Sequence, residues 1–515
     1  MNATANTSLQ AQEVLLQNLQ QPALYPHEVD SFTLLQTHIS WVLLTGPFAY
    51  KFKKPVNLGF LDFSTLALRK HFCEEELRLN QRHAPELYLE VITITGSQEQ
   101  PALNGKGPTI EYAVKMKQFP QSAQLDEVLN HHQLTSEHID GLAETVAAFH
   151  QGTERAVTNT AYGLPEQVWQ PVAENFAHIR QSLGQQQYEP RLKELESWCQ
   201  KHFSQREDFI RQRKVNGHIR EGHGDMHLRN LALLDGKVVL FDCLEFNPGL
   251  RWIDVINDIA FLLMDLDDRR QSPLAWRFLN RYLELTGDYK GIKLLNFYKV
   301  YRALVRAKVD AIRLGQPHLT QAEQENTLKD FLSYLELTES YTRAPSPVLI
   351  LTRGVSGSGK TTYTQELLET VGAIRIRSDV ERKRLYKDSS NLYSHELTQQ
   401  VYEYLAELTE NLLAAGQRVI VDATFIDIKQ IILFQQLTDR MAVPFHILEF
   451  NAKPDTLRNR IRQRQQDYSD ATINVLEQQL QNWQAITDDL KGYLIQLDTE
   501  QPINIKQLAT TLSKT

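Results

Sequence analysis

An eight-residue segment in the second half of the chain has the composition and spacing of a phosphate-binding loop. It fits the pattern G-x-x-x-x-G-K-[ST] at every required position and reads Gly354-Val355-Ser356-Gly357-Ser358-Gly359-Lys360-Thr361. Glycines let the backbone curl until its N–H groups face inward, and the start of a following helix adds partial positive charge. The residues that we expect to bind a nucleotide are Gly354, Ser356, Gly357, Ser358, Gly359, Lys360, Thr361 and Thr362.

Two side chains of this loop suit a nucleoside triphosphate. Lys360 supplies a positive charge for the β- and γ-phosphates, and the hydroxyl of Thr361 is a ligand for Mg²⁺. An apolar strand pattern at residues 348 to 351 precedes the loop and a helical pattern follows it, which is the context the motif requires. The alternative is a Gly- and Ser-rich turn that binds nothing, and the flanking pattern favours nucleotide binding. We expect ATP and Mg²⁺ as cofactors.

Two acidic residues follow later strands of the same region. Asp422 ends the apolar run Val419 to Asp422, where a metal-side acid belongs, although it would also suit the cap of the next helix. Asp379 follows the preceding strand beside Arg377 and Arg382, and is the candidate acceptor of a hydroxyl proton. The alternative for Asp379 is a solvated helix N-terminus.

Four arginines alternate along residues 457 to 464. On a helix, Arg460 and Arg464 share one face and Arg458 and Arg462 share another. Such a helix would neutralise the charge of phosphates if it closed over them, and it would otherwise form a solvated surface.

A second group of oxygen ligands lies in the first half of the chain. Asp225 precedes Asn230 by five residues, and a hairpin around the turn Asp235-Gly236 returns the chain to Asp242. This spacing matches the catalytic-loop Asp and Asn and the metal Asp of protein kinase chemistry. We expect Asp225 to act on the acceptor hydroxyl, with Asn230 and Asp242 as ligands of Mg²⁺. Zinc bound by His223 and His227 is the weaker alternative, because no cysteine or third histidine lies nearby.

Chemistry of this kind also requires a lysine held by a glutamate. Lys51 and Lys53 lie on the same face of a predicted strand, so the strand period does not choose between them. Glu76 falls in the middle of the apolar face of a predicted helix, where a carboxylate requires a partner. It is therefore the candidate glutamate.

The elements that must position these residues belong to two predicted domains. The proline-containing seam between these domains is the segment around Pro345 and Pro347. We predict a domain over residues 1–340, with a small β-rich lobe at about 30–120 and a helical lobe at about 121–340. A linker at 341–347 leads to a domain at 348–515, where alternating strands and helices predict a parallel sheet before a long helical C-terminal region. The predicted fold class is thus α+β followed by α/β.

Composition restricts the class of protein. The chain has 515 residues, 42% of them hydrophobic and 23% charged, which is typical of a globular protein with two or three domains. A net charge of −8 provides no basic field for duplex nucleic acid. Three widely spaced cysteines and the absence of a leader or membrane-span pattern predict a cytoplasmic protein that does not bind membranes.

Residues 30 to 340 resemble the aminoglycoside phosphotransferase-like branch of the bilobal protein-kinase-like fold. The segment from His223 to Asn230 and the pair Phe241-Asp242 are the specific match. The resemblance implies a hinge at Lys117 and Phe119 that contacts adenine. The chain departs from kinases in general in two ways: Asp242 is followed by Cys243-Leu244-Glu245, and no glycine-rich loop precedes Lys51.

The C-terminal 170 residues or so resemble P-loop kinases of the zeta toxin, polynucleotide kinase and gluconate kinase type, on the strength of the loop at 354–361. That resemblance implies that Asp379 contacts the acceptor and that Arg460 and Arg464 clamp phosphates. The tandem arrangement resembles a bacterial family of bifunctional phosphotransferase and ATP-binding proteins.

These observations predict a bifunctional kinase that phosphorylates small polar acceptors at two sites. One alternative is that the N-terminal domain only binds a nucleotide and regulates the other domain. A second is that the C-terminal domain phosphorylates RNA or DNA ends, which require only a local basic groove. A third, a nucleotide switch without transfer, is disfavoured by Asp379 and the arginines.

Overall fold

A computed structural model describes residues 3–59, 61–184, 186–316, 319–343, 346–387, 394–463 and 472–512. These residues pack into two units. The first unit takes its residues from 1–141, 148–171 and 207–262, and the second from 142–147, 172–206 and 263–515. The segments on both sides of the predicted linker at 341–347 thus belong to the second unit. The domain boundaries expected from the sequence stay predictions.

Nineteen α-helices occur in the described residues. In chain order they are α1 Ala3–Asn18, α2 Leu66–Gln81, α3 Leu125–Asn130, α4 Ser136–Gly152, α5 Pro165–Leu183, α6 Glu189–Ser204, α7 Glu207–Val215, α8 Pro248–Arg251, α9 Val255–Asp268, α10 Ser272–Thr286, α11 Leu295–Leu314, α12 Gln321–Thr342, α13 Lys360–Val371, α14 Ser378–Leu385, α15 His395–Ala414, α16 Ile428–Met441, α17 Pro454–Gln463, α18 Ile473–Gln481 and α19 Ile505–Leu512. Across the described parts of the chain, none of the helices has both the length and the apolar character that a membrane span requires.

Fifteen strands occur in the same residues. They are β1 Thr33–Gln36, β2 Ser40–Leu44, β3 Phe48–Lys53, β4 Tyr88–Gly96, β5 Pro101–Leu103, β6 Thr109–Lys117, β7 Ile219–Glu221, β8 Leu231–Leu234, β9 Lys237–Leu240, β10 Trp252–Asp254, β11 Leu349–Arg353, β12 Ile374–Arg377, β13 Val419–Asp422, β14 Phe445–Asn451 and β15 Leu494–Asp498.

An antiparallel sheet of six strands, in the order β1-β2-β3-β6-β4-β5, supports the lysines of the first unit. Successive side chains of a strand point to opposite faces. Tyr50 and Phe52 of β3 therefore pack into a hydrophobic core with Leu15 and Leu16 of α1. Lys51 and Lys53 alternate with these two residues along the strand, and both lysine side chains contact Glu76 of α2.

The hairpin predicted around Asp235 and Gly236 is confirmed. Strands β8 and β9 pair antiparallel with Leu231 opposite Leu240, and both turn residues have positive φ, 49° for Asp235 and 74° for Gly236. Two consecutive residues with positive φ form the turn whose twist matches that of the flanking strands. The hairpin brings the chain that leads to Asp242 back beside Asn230, because the N–H of Phe241 donates to the carbonyl of Asn230.

The predicted parallel sheet is also confirmed. Its five strands have the order β12-β13-β11-β14-β15, and every neighbouring pair is parallel. The expectation of a long helical C-terminal region was wrong, since β15 lies within that region and adds the fifth strand. Its residues are partly or fully exposed at the sheet edge, and Gln496 interrupts its apolar residues, so the segment gives only a weak strand pattern.

Gly372 ends α13 where the second unit is tightly packed. Its φ is 66°, and a Cβ atom placed on it would lie 2.7 Å from the indole nitrogen of Trp276. Both the backbone conformation and the available space therefore require glycine.

We predict that Gly372→Ala destabilises the second unit by about 1–3 kcal/mol, because the methyl group adds backbone strain and a steric clash. Thermal unfolding followed by calorimetry would show a lower melting temperature. Gly492→Ala is the matched control, because its Cβ would meet no atom within 4 Å. An equal shift in both variants would contradict the explanation.

Candidate active sites

The lysine of the first candidate site is held between two carboxylates. Lys51 Nζ lies 2.8 Å from Glu76 Oε1 and 2.5 Å from Asp242 Oδ1. Burial lowers the pKa of Lys51, but Asp242 and Glu76 more than compensate, so the pKa is raised well above its ordinary value. Lys51 is therefore a permanent cation that faces the side chain of Asp242.

Lys53 has a different environment. Its side chain is fully buried and contacts Glu76 Oε2 and Glu245 Oε1. Burial raises the pKa of Glu76, yet the two lysines outweigh this effect, and the net shift is downward. Lys51 has 11% of its side chain exposed and Lys53 has none, so Lys51 is the better candidate to meet a nucleotide. Lys53 compensates the charge of the buried acids.

The loop after β7 orders the side chain of Asp225. Asn230 Nδ2 donates to the backbone carbonyl and to Oδ2 of Asp225, both at 3.0 Å. This contact does not use the amide oxygen of Asn230, which is the atom that suits a cation. The side chain of Asp225 is 39% exposed and lies 3.4 Å from His227 Nε2. Asp225 can therefore meet an acceptor while Asn230 fixes its orientation.

His223 joins this loop to Asp242. Burial lowers the pKa of His223, so its ring is neutral. Nε2 lies 2.9 Å from the carbonyl of Phe241, and Nδ1 accepts from the N–H of Asp225 at 3.3 Å. These partners assign the proton to Nε2. The zinc alternative is not supported, because no group of three or more His, Cys, Asp or Glu among the described residues is arranged to hold a metal.

Asp242 has an unusual backbone conformation with φ 62°. Its N–H donates to the hydroxyl of Tyr88 at 3.0 Å, and the N–H of Leu244 donates to the carbonyl of His223. A non-glycine residue in this region costs free energy and persists only where its surroundings fix it. The strain directs the carboxylate toward Lys51.

Sequence reasoning missed Asp258 on α9. Its fully buried carboxylate accepts from the N–H groups of His223 at 2.7 Å and Gly224 at 3.0 Å, and lies 3.2 Å from His150 Nε2. It thereby fixes the backbone before Asp225. The signal that was available is an acid within the apolar pattern of α9, the same signal that identified Glu76.

The predicted hinge follows β6. Lys117 ends this strand with an exposed side chain, and Phe119 packs edge to face on Phe241 with the ring centroids 5.3 Å apart. Phe119 is therefore next to the residue that precedes Asp242. Contact with adenine stays a prediction for both residues.

The second candidate site lies at the carboxyl end of the central strand β11. Lys360 Nζ donates to the carbonyl groups of Gly354 at 2.8 Å and Val355 at 3.1 Å, inside the curl of the loop. A Cβ atom on Gly354 would lie 2.6 Å from Ser358 Oγ and 2.8 Å from the carbonyl of Phe450. The close contacts at Gly354 thus permit only glycine, and the side chain of Lys360 lies inside the loop. A loop of this kind fits a phosphate group.

Other loop residues differ in exposure. Ser356 and Ser358 are buried, Gly357 and Gly359 are partly buried, and Thr362 is exposed. The N–H of Ser356 donates to Gln479 Oε1 of α18 at 2.8 Å. This N–H group is therefore paired with a side chain of α18.

Thr361 and Asp422 form a hydrogen-bonded pair beside the loop. Thr361 Oγ1 donates to Asp422 Oδ2 at 2.9 Å, and Asp422 is the last residue of β13, which neighbours β11. A hydroxyl and a carboxylate at the carboxyl end of parallel strands are suitable ligands for Mg²⁺.

Asp379 lies in the first turn of α14, one strand further toward the sheet edge. Burial raises its pKa, and the nearby carboxylate of Asp422 raises it further, while Lys360, Arg377 and Arg382 oppose the rise. The two acids therefore lie within electrostatic reach of each other. Arg382 is buried and donates to Thr398 Oγ1 at 3.2 Å.

Arg458 and Arg460, two of the four alternating arginines, lie on α17 and have different partners. Arg460 Nη1 donates to the carbonyl of Gly357 at 3.3 Å, and Arg460 also binds the hydroxyl and carbonyl oxygens of Thr499. Arg458 pairs with Asp455 and Glu477 instead. Arg464 lies outside the described residues. Arg460 thus contacts the phosphate-binding loop, and its role toward phosphates stays a prediction.

Comparison with known proteins places two domain types in the chain. Residues 72–295 match the phosphotransferase enzyme family, and residues 349–486 match an AAA domain. A protein of Mycobacterium tuberculosis that is described as uncharacterized is 31% identical over 455 residues, which cover 85% of this chain and 88% of the relative.

Two solved kinase structures show weaker likeness. A sugar kinase from Janibacter sp. is 21% identical, covers 32% of this chain and 92% of its own, and has a TM-score of 0.26. A choline/ethanolamine kinase family protein from Mesorhizobium loti is 11% identical, covers 64% of this chain and 99% of its own, and has a TM-score of 0.37.

We predict that replacing Lys51 or Lys53 by methionine has different effects. Lys51→Met should abolish ATP binding at the first site. Lys53→Met should mainly lower the melting temperature, because it leaves Glu245 buried without its lysine and Glu76 with only Lys51, at a cost of about 3–5 kcal/mol. Calorimetric titration with ATP and Mg²⁺ in a Lys360→Ala background, together with thermal unfolding, measures both effects.

Lys115→Met is the control, because Lys115 pairs with the half-exposed Glu90 and touches neither buried acid. Loss of ATP binding in Lys53→Met with normal binding in Lys51→Met would reverse the two roles.

Proposed function

Because the chain belongs to the family of its mycobacterial relatives and joins a phosphotransferase enzyme family domain to an AAA domain, we propose that it phosphorylates small polar acceptors at two separate sites. The proposed donor at both sites is ATP with Mg²⁺. The observation that carries the proposal is that each site contains a lysine and two acids, to which we assign binding of the phosphates, binding of the metal and action on the acceptor. In the first site these are Lys51, Asp242 and Asp225, and in the second Lys360, Asp422 and Asp379.

When bound, ATP supplies the phosphoryl group and Mg²⁺ neutralises charge on the phosphates. In the first site, Asn230 and Asp242 would hold the metal, and Lys51 would bind phosphate oxygens while Glu76 keeps it in place. Asp225 orients the acceptor hydroxyl and accepts its proton. Each residue thus has one task, and the contacts between them fix the geometry before a substrate binds.

In the second site, Thr361 and Asp422 would hold the metal, and Lys360 with the N–H groups of the loop would bind the phosphates. Asp379 faces the acceptor side. The raised pKa of Asp379 suits proton acceptance, since a carboxylate with a higher pKa is a stronger base. Arg460, next to the loop, would add positive charge near the phosphates.

The acceptors proposed are small polar molecules with a hydroxyl group. The net charge of −8 disfavours duplex nucleic acid, whereas single-stranded ends need only a local groove. The identity of each acceptor is best sought among small metabolites.

We predict that Asp225→Asn and Asp379→Asn each remove a different phosphorylated product. The protein would be incubated with γ-labelled ATP and a metabolite extract, and the labelled products separated by chromatography. Each variant should lower the rate at which the product of the altered site forms by about 10²-fold or more, because the acid acts on the acceptor in the transition state. The double variant should form neither product.

Asp235→Asn is the control for this experiment, since Asp235 lies in the turn of the hairpin and asparagine also tolerates positive φ. If Asp379→Asn removes all label and Asp225→Asn removes none, the first site binds a nucleotide without transferring its phosphoryl group.

We predict that replacing Asp422 impairs Mg²⁺ binding, whereas replacing Asp379 impairs phosphoryl transfer. In an Asp242→Ala background, Asp422→Asn should raise the Mg²⁺ concentration needed for ATP binding. Asp379→Asn should bind ATP with Mg²⁺ almost normally, yet lose about 2–4 kcal/mol of transition-state stabilisation, because only the transition state depends on it. Titration of Mg²⁺ by calorimetry decides between the roles, and an equal defect in both variants would refute them.

A further inference from the structure

Helix α10 presents one face to the edge of the parallel sheet, within the second unit. Trp276, Asn280 and Glu284 are spaced four residues apart, so they lie on the same side of the helix. Trp276 packs against Gly372, as described above. The remaining two residues contact β12, the strand that leads to Asp379.

The side chain of Asn280 forms the hydrogen bonds with the edge of β12 that a neighbouring strand would otherwise form. Its Nδ2 donates to the carbonyl of Ala373 at 2.9 Å, and its Oδ1 accepts from the N–H of Arg375 at 2.6 Å. One buried side chain thus pairs with both a donor and an acceptor of the strand edge. This pairing fixes α10 along β12, so that Glu284, one turn further, lies level with the arginines of the strand.

Glu284 holds two arginines of β12. Its Oε1 accepts from Arg375 Nη2 at 2.9 Å, and its Oε2 lies 3.7 Å from Arg377 Nη1. The side chain of Glu284 is 3% exposed, that of Arg375 4% and that of Arg377 9%. Ion pairs this deeply buried are weakly screened, so the removal of the carboxylate changes the field at both arginines.

Each arginine extends to a different member of the Thr361–Asp422 pair. Arg375 Nη1 donates to the carbonyl of Thr361 at 3.2 Å. Arg377 Nε lies 3.9 Å from Asp422 Oδ2, the oxygen that accepts the hydroxyl hydrogen of Thr361. Glu284 is therefore connected to both members of the pair, through one arginine in each case.

We propose that Glu284 is a positioning residue for the metal-binding pair of the second site. The inference rests on the proposed function of that site. Glu284 attracts the guanidinium group of Arg377, so the carboxylate of Asp422 remains available to bind Mg²⁺. Glu284 also fixes Arg375 against the first turn of α13. Without the carboxylate of Glu284, Arg377 pairs more closely with Asp422 and competes with Mg²⁺ for the same oxygen.

The test uses the full chain with Asp242→Ala, in which ATP binding reports the second site. Mg²⁺ is titrated at constant ATP and binding is followed by calorimetry. Glu284→Gln should raise the Mg²⁺ concentration for half-maximal binding by about tenfold, as expected when a partner of a metal ligand is removed. ATP binding without Mg²⁺ should stay unchanged, which a merely structural role does not predict.

Glu369→Gln is the matched control. Glu369 forms another ion pair with α10, 3.0 Å from Arg277 Nη1, and leaves the contacts of Glu284 in place. It should not alter the Mg²⁺ dependence. Equal shifts in both variants, or no shift in Glu284→Gln, would overturn the proposal.

A second variant covers the case in which Glu284→Gln does not fold. Arg375→Lys keeps the positive charge but loses the reach that joins Glu284 to Thr361, so it should also raise the Mg²⁺ requirement. A normal Mg²⁺ dependence in Arg375→Lys would count against the proposal. The proposed function fails separately if Lys360→Ala has no effect on ATP binding in the Asp242→Ala background.

Discussion

A buried carboxylate must be compensated by cations or N–H donors, and this constraint organises both candidate sites. Glu76 holds the two lysines of β3, and Asp258 holds the backbone that precedes Asp225. Glu284 does the same for two arginines of β12. In each case the buried acid orders other residues of a candidate site. The residues proposed to act on substrates thus depend on buried acids that pair with them.

The two candidate sites differ in how the backbone contributes to them. In the first, side chains provide nearly all the polar groups, and a strained residue, Asp242, directs one of them. In the second, the backbone of a glycine-rich loop forms the cradle around Lys360. A loop of backbone N–H groups is rigid and specific for phosphate, whereas a constellation of side chains needs buried partners for each member.

Local patterns predicted what depends on local geometry. The phosphate-binding loop, the hairpin at Asp235-Gly236 and the parallel sheet follow from spacing and turn chemistry. The choice between Lys51 and Lys53 could not be predicted, because it depends on Asp242 and Glu245, nearly two hundred residues away. Glu284 escaped notice for the same reason, since it lies on helix α10 and its partner Arg375 lies on strand β12, 91 residues later in the chain. Strand β15 was missed because its partly exposed edge position weakens its pattern.

The pairing of Asn280 with β12 has a consequence for dissecting the chain. A fragment that began at the proline-containing seam would contain the whole parallel sheet but would lose α10. Strand β12 would then become an open edge with the N–H of Arg375 and the carbonyl of Ala373 exposed, and such edges promote aggregation. A fragment that keeps the edge of β12 covered therefore has to start before α10.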